Sequence, residues 1–219
     1  MAIDDYAGLK EAMQKWAARS DTTFSNQFDT FLSYAEDRIY NGAGKRGDAL
    51  YSPALRNRTL ETTATVAMAS GVGALPDRHL ATKRLYFDGD RVGLEYLPSE
   101  RFSVRSAYSQ GGDPQFYTIR DGSIYTFPAT DEDLEIDYYQ RLAPLTSDSA
   151  SNTNDLLTNH EHVYLAAVLF EAFSFMQSPD KALAHLARLN SAIDGLNGVA
   201  SATATQGASM HVRPRFPIP

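Results

Sequence analysis

The sequence predicts an α+β protein: a four-helix bundle built from helical hairpins at the two ends of the chain, with an antiparallel β subdomain inserted between them and an extended C-terminal arm. Three observations predict it. Apolar residues recur at helical spacing near both ends, the middle switches to strand-like alternation around two Asp-Gly turns, and the last twenty or so residues are low in complexity and then proline-studded. The divisions fall at residues 1–59, 60–142, 143–199 and 200–219. Neither hairpin is long enough to enclose a core alone, so the two are expected to pack together.

The first helical stripe is Tyr6, Leu9, Met13 and Trp16, and the second is Phe24, Phe28, Phe31, Leu32, Ala35 and Ile39. Ser20, Asp21, Thr22 and Thr23 separate them with side chains suited to cap a helix N-terminus. Asn41-Gly42 then closes the second helix, because both residues tolerate left-handed backbone.

Thr62 to Met68 reads as a strand by its Thr, Val and Ala content. Lys83–Phe87 and Val92–Leu97 flank Asp88-Gly89-Asp90, and Phe116–Arg120 and Ser123–Phe127 flank Asp121-Gly122, two hairpin signals. Leu134, Ile136 and Tyr138 alternate with Glu135, Asp137 and Tyr139, the period of a half-buried strand. Between the hairpins, Ser99 to Tyr108 suits a short helix with Ser99 as its cap and Glu100 in its first turn. Short strands joined by tight turns imply an antiparallel sheet or small sandwich.

Residues 143–154 are polar and loop-like. Leu156, Leu157, Val163, Tyr164, Ala167, Val168, Phe170 and Phe175 restore helical spacing, which Ser178-Pro179 interrupts. Proline at a first helical position starts the last helix, carried by Leu183, Leu186, Leu189, Ile193 and Leu196 and expected to end near Gly198.

The composition is that of an ordinary globular chain, 43% hydrophobic and 21% charged. A net charge of −7 argues against a sequence-independent nucleic-acid binder, although a negative wall can still line a channel through which DNA slides. Cysteine is absent, which removes disulfides, thiolate nucleophiles and cysteine-bound zinc. The N-terminus is acidic and amphipathic, unlike a signal peptide, and the longest apolar run, Val163 to Phe170, is too short to span a bilayer. A soluble protein without an export signal is expected.

Candidate chemistry is sparse. His160-Glu161-His162 places histidines at i and i+2, on different sides of a helix, unlike the i, i+4 pairs that share a zinc; a solvated helix start with Glu161 complementing the dipole is expected. The acidic groups Asp4-Asp5, Glu36-Asp37 and Asp131-Glu132-Asp133 admit a carboxylate-pair hydrolase, though in a chain with 27 acidic residues they read first as solvated surface. Gly42, Gly44 and Gly47 beside Lys45 and Arg46 fail as a phosphate loop: no strand precedes them and Arg46 stands where Ser or Thr is needed, so a flexible connection is expected. No G-x-S-x-G elbow occurs. Tyr86-Phe87, Phe116-Tyr117 and Tyr138-Tyr139 could stack bases, but without a matching Lys/Arg frame sheet packing explains them. No cofactor and no metal are expected.

The C-terminal tip carries the most local information. Arg213 and Arg215 alternate with Pro214, Pro217 and Pro219, with Val212, Phe216 and Ile218 as apolar members. Such proline spacing favours an extended strand that docks with little loss of ordering entropy, so Val212–Pro219 is the candidate binding arm.

Taken in order, several stretches resemble the head–tail adaptor (head-completion, or connector) proteins of tailed bacteriophages. They are the helix Tyr6–Arg19, the run from Phe28 to Ile39 (FDTFLSYAEDRI), Leu75-Pro76-Asp77, Gly112–Tyr117 leading to Ile124–Ala129, Leu134–Tyr139 with Leu145-Thr146, and Asn152–Leu157 followed by Tyr164-Leu165 and Phe170-Glu171-Ala172. After Arg38-Ile39 the pattern departs: related sequences carry a further basic helical turn where this chain loops out through NGAGKRGD.

The resemblance implies a non-enzymatic structural protein of the virion neck, made in the host bacterial cytoplasm. It implies a ring of about twelve copies, closed by head-to-tail contacts, that binds the portal and extends the DNA channel. It further implies tail or neck proteins on the opposite face, and an arm, Val212–Pro219, that docks on the portal. Two other readings compete: a virion-associated cell-wall hydrolase using an acidic pair, and a module that binds a host protein through its helices.

Overall fold

The computed structural model of the chain describes residues 3–87, 93–107 and 111–205. It is α+β, with helices at both ends and the strands between them.

Helix α1 (Tyr6–Ala17) begins where the Asp5 carboxylate accepts from the Gly8 N–H at 2.8 Å. Two more of its first-turn N–H groups are satisfied from the far end of the chain, Tyr6 by the Asn152 carbonyl at 2.8 Å and Ala7 by that of Ala150 at 3.0 Å. The polar 143–154 segment is therefore knitted to α1 rather than merely a spacer. The second stripe is split: Asp21 caps a single turn, α2 (Thr22–Ser25), and α3 (Phe28–Asn41) starts afresh after Asn26-Gln27.

Helix α3 ends at Gly42, whose φ of +70° only glycine adopts freely. The connection that follows is not a loose one. Ala43 and Ser52 exchange two backbone hydrogen bonds of 2.9 Å. A Cβ on Gly42 would lie 2.7 Å from the Ser52 carbonyl oxygen, so the chain crosses itself there. The expected flexible loop is a closed one because its base is a backbone-to-backbone contact that glycine permits.

A one-turn 3₁₀ helix (Arg58–Leu60) leads into two sheets. One has the order β1-β8-β4, with β1 (Glu61–Val66), β4 (His79–Phe87) and β8 (Leu134–Gln140) all antiparallel. The other has the order β2-β3-β7-β6-β5, with β2 (Met68–Ala69), β3 (Val72–Ala74), β5 (Glu95–Tyr96), β6 (Phe116–Arg120) and β7 (Ser123–Phe127). The stretch expected as one strand, Thr62 to Met68, thus crosses from one sheet to the other at Ala67. Val66, Leu85, Leu134, Ile136 and Tyr138 from the first sheet meet Met68, Tyr117 and Ile124 from the second in a common core. The period-2 alternation of β8 has placed its apolar residues inward as expected.

Of the two expected hairpins, β6–β7 forms with Ile119 opposite Ile124, and Asp121 and Gly122 at φ of 50° and 69° make its turn. The other forms only at its base. Tyr86 bridges Gly93 and the Leu94 N–H reaches the Leu85 carbonyl at 2.8 Å, while Asp88-Gly89-Asp90 lies outside the described residues. Its second arm then leaves β4: Glu95–Tyr96 pairs in parallel with β6 in the other sheet. The β region is thus not wholly antiparallel. Sequence alternation cannot encode that choice of neighbour.

Helix α4 (Ser99–Ser106) has Pro98, not Ser99, at its N-cap, and no side chain caps it. The Ser99 hydroxyl instead lies 3.5 Å from that of Thr118, and Phe102 packs edge-on against Phe127, which seats α4 on the face of the five-stranded sheet away from the sandwich core.

The C-terminal helices are α5 (Asp155–Asn159), capped by Asn154, then α6 (Glu161–Phe175) and α7 (Pro179–Thr205). The continuous spacing from Leu156 hid a break at His160, which ends α5 and precedes α6 with extended φ. The last helix runs on past Gly198, its expected end, to Thr205. No helix among the described residues is long and apolar enough to cross a membrane.

Helix α6 is the centre of the helical layer, touched by α1, α3, α5 and α7. Val163, Tyr164, Ala167, Val168, Leu169 and Phe170 are all buried, so α6 is apolar nearly all round rather than along one stripe. Leu9, Met13, Phe28, Leu32 and Ile39 from the N-terminal helices and Leu186, Leu189 and Ile193 from α7 complete a single core. The two ends of the chain share their interior.

Candidate interaction surfaces

Glu36 is a buried carboxylate, 3% exposed on the core face of α3. Its Oε1 accepts from the Leu145 N–H at 3.0 Å and the Tyr164 hydroxyl at 3.3 Å, and its Oε2 accepts from Arg141 Nη2 at 3.2 Å. Tyr164 accepts in turn from Asn154 Nδ2 at 2.9 Å, and its hydroxyl lies 3.4 Å from that of Tyr40. Burial pushes the Tyr40 hydroxyl up to about 12, and burial, with Tyr40 and Glu36 close by, pushes that of Tyr164 well above its ordinary value. Both phenols stay protonated as donors.

This node joins α3, the residue just after β8, the 143–154 segment and α6. It locks the β subdomain to the helices through one satisfied network. The sequence reading of Glu36-Asp37 as solvated surface is thus wrong for Glu36, and a signal was present: Glu36 follows Leu32 by four and precedes Ile39 and Tyr40 by three and four, so a carboxylate stands within a core stripe.

A cleft of about 330 Å³ opens beside the node, lined by Asp29, Ser33, Glu36, Arg141 and Thr146 among others. It brings two carboxylates together, the arrangement a hydrolase would need. Neither is free: Glu36 is bound as above, and Asp29 accepts from the Tyr6 hydroxyl, which burial and Asp29 together raise above its ordinary range. In each of the other acidic groups one carboxylate is occupied as well. Asp5 caps α1, Asp37 accepts from Asn41 Nδ2 at 2.6 Å, and Asp131 accepts from the Ser70 N–H. They stabilise turns and helix ends.

His160 and His162 stand with ring centroids 6.1 Å apart and perpendicular, and Glu161 accepts from the Ile3 N–H at 3.3 Å. Among the described residues no group of three or more His, Asp or Glu side chains converges as metal ligands do. His185 lies flat on Phe173 at 5.2 Å with Trp16 at its edge, 6.2 Å away. Burial lowers its proton affinity first and nearby Arg188 adds to this, so it is a packed neutral ring.

The closed loop after α3 is stapled to α7 by two asparagines. Asn190 Nδ2 donates to the Tyr51 carbonyl at 2.8 Å, Asn197 Nδ2 donates to that of Ala54 at 3.0 Å, and Asn197 Oδ1 accepts from the Arg56 N–H at 2.6 Å. Seven residues apart, they share one side of α7. Arg38, stacked 4.3 Å from the Phe170 ring, pairs with half-buried Glu171 at 3.1 Å and reaches the Leu50 carbonyl, tying the same loop to α6. Beside this, Leu50, Phe170, Pro179, Ala182 and Leu183 line an apolar groove of about 340 Å³, in which Leu50 and Leu183 are exposed.

The aromatic pairs are, as expected, engaged in packing. Tyr138 stacks on His79 at 5.5 Å, Tyr139 lies under Arg56 and Lys83, and Tyr117 meets Tyr96 edge-on. The candidate arm Val212–Pro219 lies outside the described residues.

The geometry offers an apolar groove, and the buried carboxylate of Glu36 is spent on holding the fold. A scan against protein families matches residues 4–214 to the SU10 adaptor protein family. The chain belongs to that family. The adaptor is therefore a structural protein of tailed-bacteriophage virions, in keeping with the resemblance, and the match reaches Arg213 and Pro214 at the start of the arm. No curated protein matches the adaptor.

Proposed function

We propose that the adaptor is a ring-forming component of the virion neck that docks on the portal, prolongs the channel for packaged DNA and presents its other face to tail or neck proteins. The observation that carries this reading is the family match, which takes in 4–214, the whole fold and the first part of the arm. The helical layer is read as a four-helix bundle of α1, α3, α6 and α7, the rigid body of each subunit. About twelve subunits would close the ring through head-to-tail contacts, the number following from the resemblance alone.

The course of α7 supports an outward arm. Its fully buried positions stop at Ile193, Val199 is 67% exposed, and the helix runs on to Thr205. Residues Val212–Pro219 are the docking arm in this reading, with Phe216 and Ile218 as apolar anchors and Arg213 and Arg215 as charged contacts.

The test is co-assembly. Purified portal rings mixed with the adaptor should yield a portal–adaptor complex visible by electron microscopy, and a chain ending at His211 should fold with the same circular dichroism but fail to bind. A truncated chain that binds portal undiminished, or an intact one that never does, overturns the proposal. Release of soluble fragments from peptidoglycan, abolished by a single Asp or Glu substitution, would support the hydrolase instead.

A further inference from the structure

The arginines of α4 and β6 form an arrangement that sequence order conceals. Arg101 and Arg105 lie one turn apart on the same flank of α4. The guanidinium of Arg105 sits 5.2 Å from the centroid of the Phe116 ring, and that of Arg120 sits 4.0 Å from the Tyr125 ring. Phe116 and Arg120 occupy the two ends of β6 on the face that carries α4, and Tyr125 opposes Thr118 between them on β7.

Two guanidinium groups thus lie on aromatic rings along one face of the five-stranded sheet, and Arg101 stands one helical turn before Arg105 on the same flank of α4. All three residues are exposed, and among the described residues none forms an ion pair. By contrast Arg84 and Arg141, also in the β subdomain, are committed to Asp137 and Glu36. Glu100 and Asp121 neighbour the arginines in sequence but do not pair with them.

We propose that this face, Arg101, Arg105 and Arg120 over Phe116 and Tyr125, contacts the phosphate backbone of duplex DNA without reading its sequence. A ring beneath a guanidinium fixes its plane and leaves its N–H edge outward, so little side-chain entropy remains to be lost when an anion arrives. Phosphate oxygens match that edge, and an extended row of cations suits a polymer of regularly spaced anions better than one small ion. The overall negative charge of the chain keeps such contact weak and local, as a surface along which DNA slides requires. The Lys/Arg frame that the aromatic residues lack in sequence is supplied across the fold: Arg105 comes from a helix eleven residues before its ring.

The test uses the full chain and a labelled 20-base-pair duplex, followed by fluorescence anisotropy between about 20 and 200 mM salt. No portal is needed, so failure here is distinct from failure of the docking proposal. Three phosphate contacts predict a log–log salt slope of about −3, and each of R101Q, R105Q and R120Q should reduce its magnitude by about 1. The triple variant should lose binding while keeping its circular dichroism. A control with the same change in net charge, K45Q/R46Q/R58Q, should bind nearly as well as the parent.

Several results overturn the proposal. They are no binding at the lowest salt, equal losses in the triple variant and the control, or competition by polyglutamate as strong as by unlabelled duplex, which assigns the face to an acidic protein.

Discussion

Removing the Glu36 carboxylate tests whether the polar node holds the β subdomain to the helices. In Glu36→Ala the Leu145 N–H, within a buried residue, and the Tyr164 hydroxyl lose their acceptor together. Each buried donor left without a partner costs about 1–3 kcal/mol. Arg141 is different: its side chain is 32% exposed against 3% for Glu36, so water takes over most of its solvation and its share is discounted to below about 1 kcal/mol. The sum is placed near 3 kcal/mol, the lower end for breaking a buried charged contact.

Glu36→Gln retains an acceptor for Leu145 and should cost only about 1–2 kcal/mol. The assay is urea unfolding followed by fluorescence of Trp16, the single tryptophan, which borders the helical core beside His185. With a slope of about 3 kcal/mol per M, the alanine variant should unfold roughly 1 M earlier. A double-mutant cycle adds resolution: coupling of Glu36 to Tyr164, probed with Tyr164→Phe, should exceed its coupling to Arg141, probed with Arg141→Met. An alanine variant whose midpoint matches the parent, or a cycle in which Arg141 dominates, refutes this account of the node.

Gly42→Ala combines left-handed backbone with a Cβ 2.7 Å from the Ser52 oxygen, and should cost at least about 2 kcal/mol by the same unfolding assay; Gly47→Ala, at φ of +107° with open space around it, should cost about half as much. Asn197→Ala removes both hydrogen bonds to the 54–56 backbone and should cost about 1–2 kcal/mol, with limited proteolysis cutting the loop between residues 43 and 56 sooner than in the parent. His185 has its folded proton affinity depressed by burial from the ordinary value of 6.5, so the unfolded chain takes up the proton first. Its contribution is complete above about pH 6.5 and is lost as pH falls from there through the depressed folded value; His185→Phe should flatten the fall in melting temperature between pH 7 and 5, and an unchanged slope would count against it.

Much of this architecture was legible in one dimension. The stripes Tyr6 to Met13 and Phe28 to Ile39, the alternation of Leu134, Ile136 and Tyr138 and the Asp121-Gly122 turn are local consequences of period and backbone tolerance, and the structure places them as those rules require, whereas Trp16 continues the first stripe in sequence but is 56% exposed. Boundaries were less legible. Asn26-Gln27 and His160 interrupt helices without disturbing the apolar spacing, and α7 outruns Gly198 because a polar, alanine-rich continuation needs no core to remain helical.

The sequence by itself determined the α+β class, helices at both ends with strands between, the shared helical interior, and the family resemblance carried by its ordered motifs. Only the tertiary structure decided that Glu95–Tyr96 abandons β4 for β6, that Glu36 finds its three donors in segments more than a hundred residues away, and that Arg105 and Arg120 come to rest on aromatic rings along one face. The reason is the range of the forces involved. Periodicity and turn chemistry act between neighbours and are written in every short window, whereas strand partners, buried hydrogen bonds and clustered charges depend on which surfaces meet after collapse.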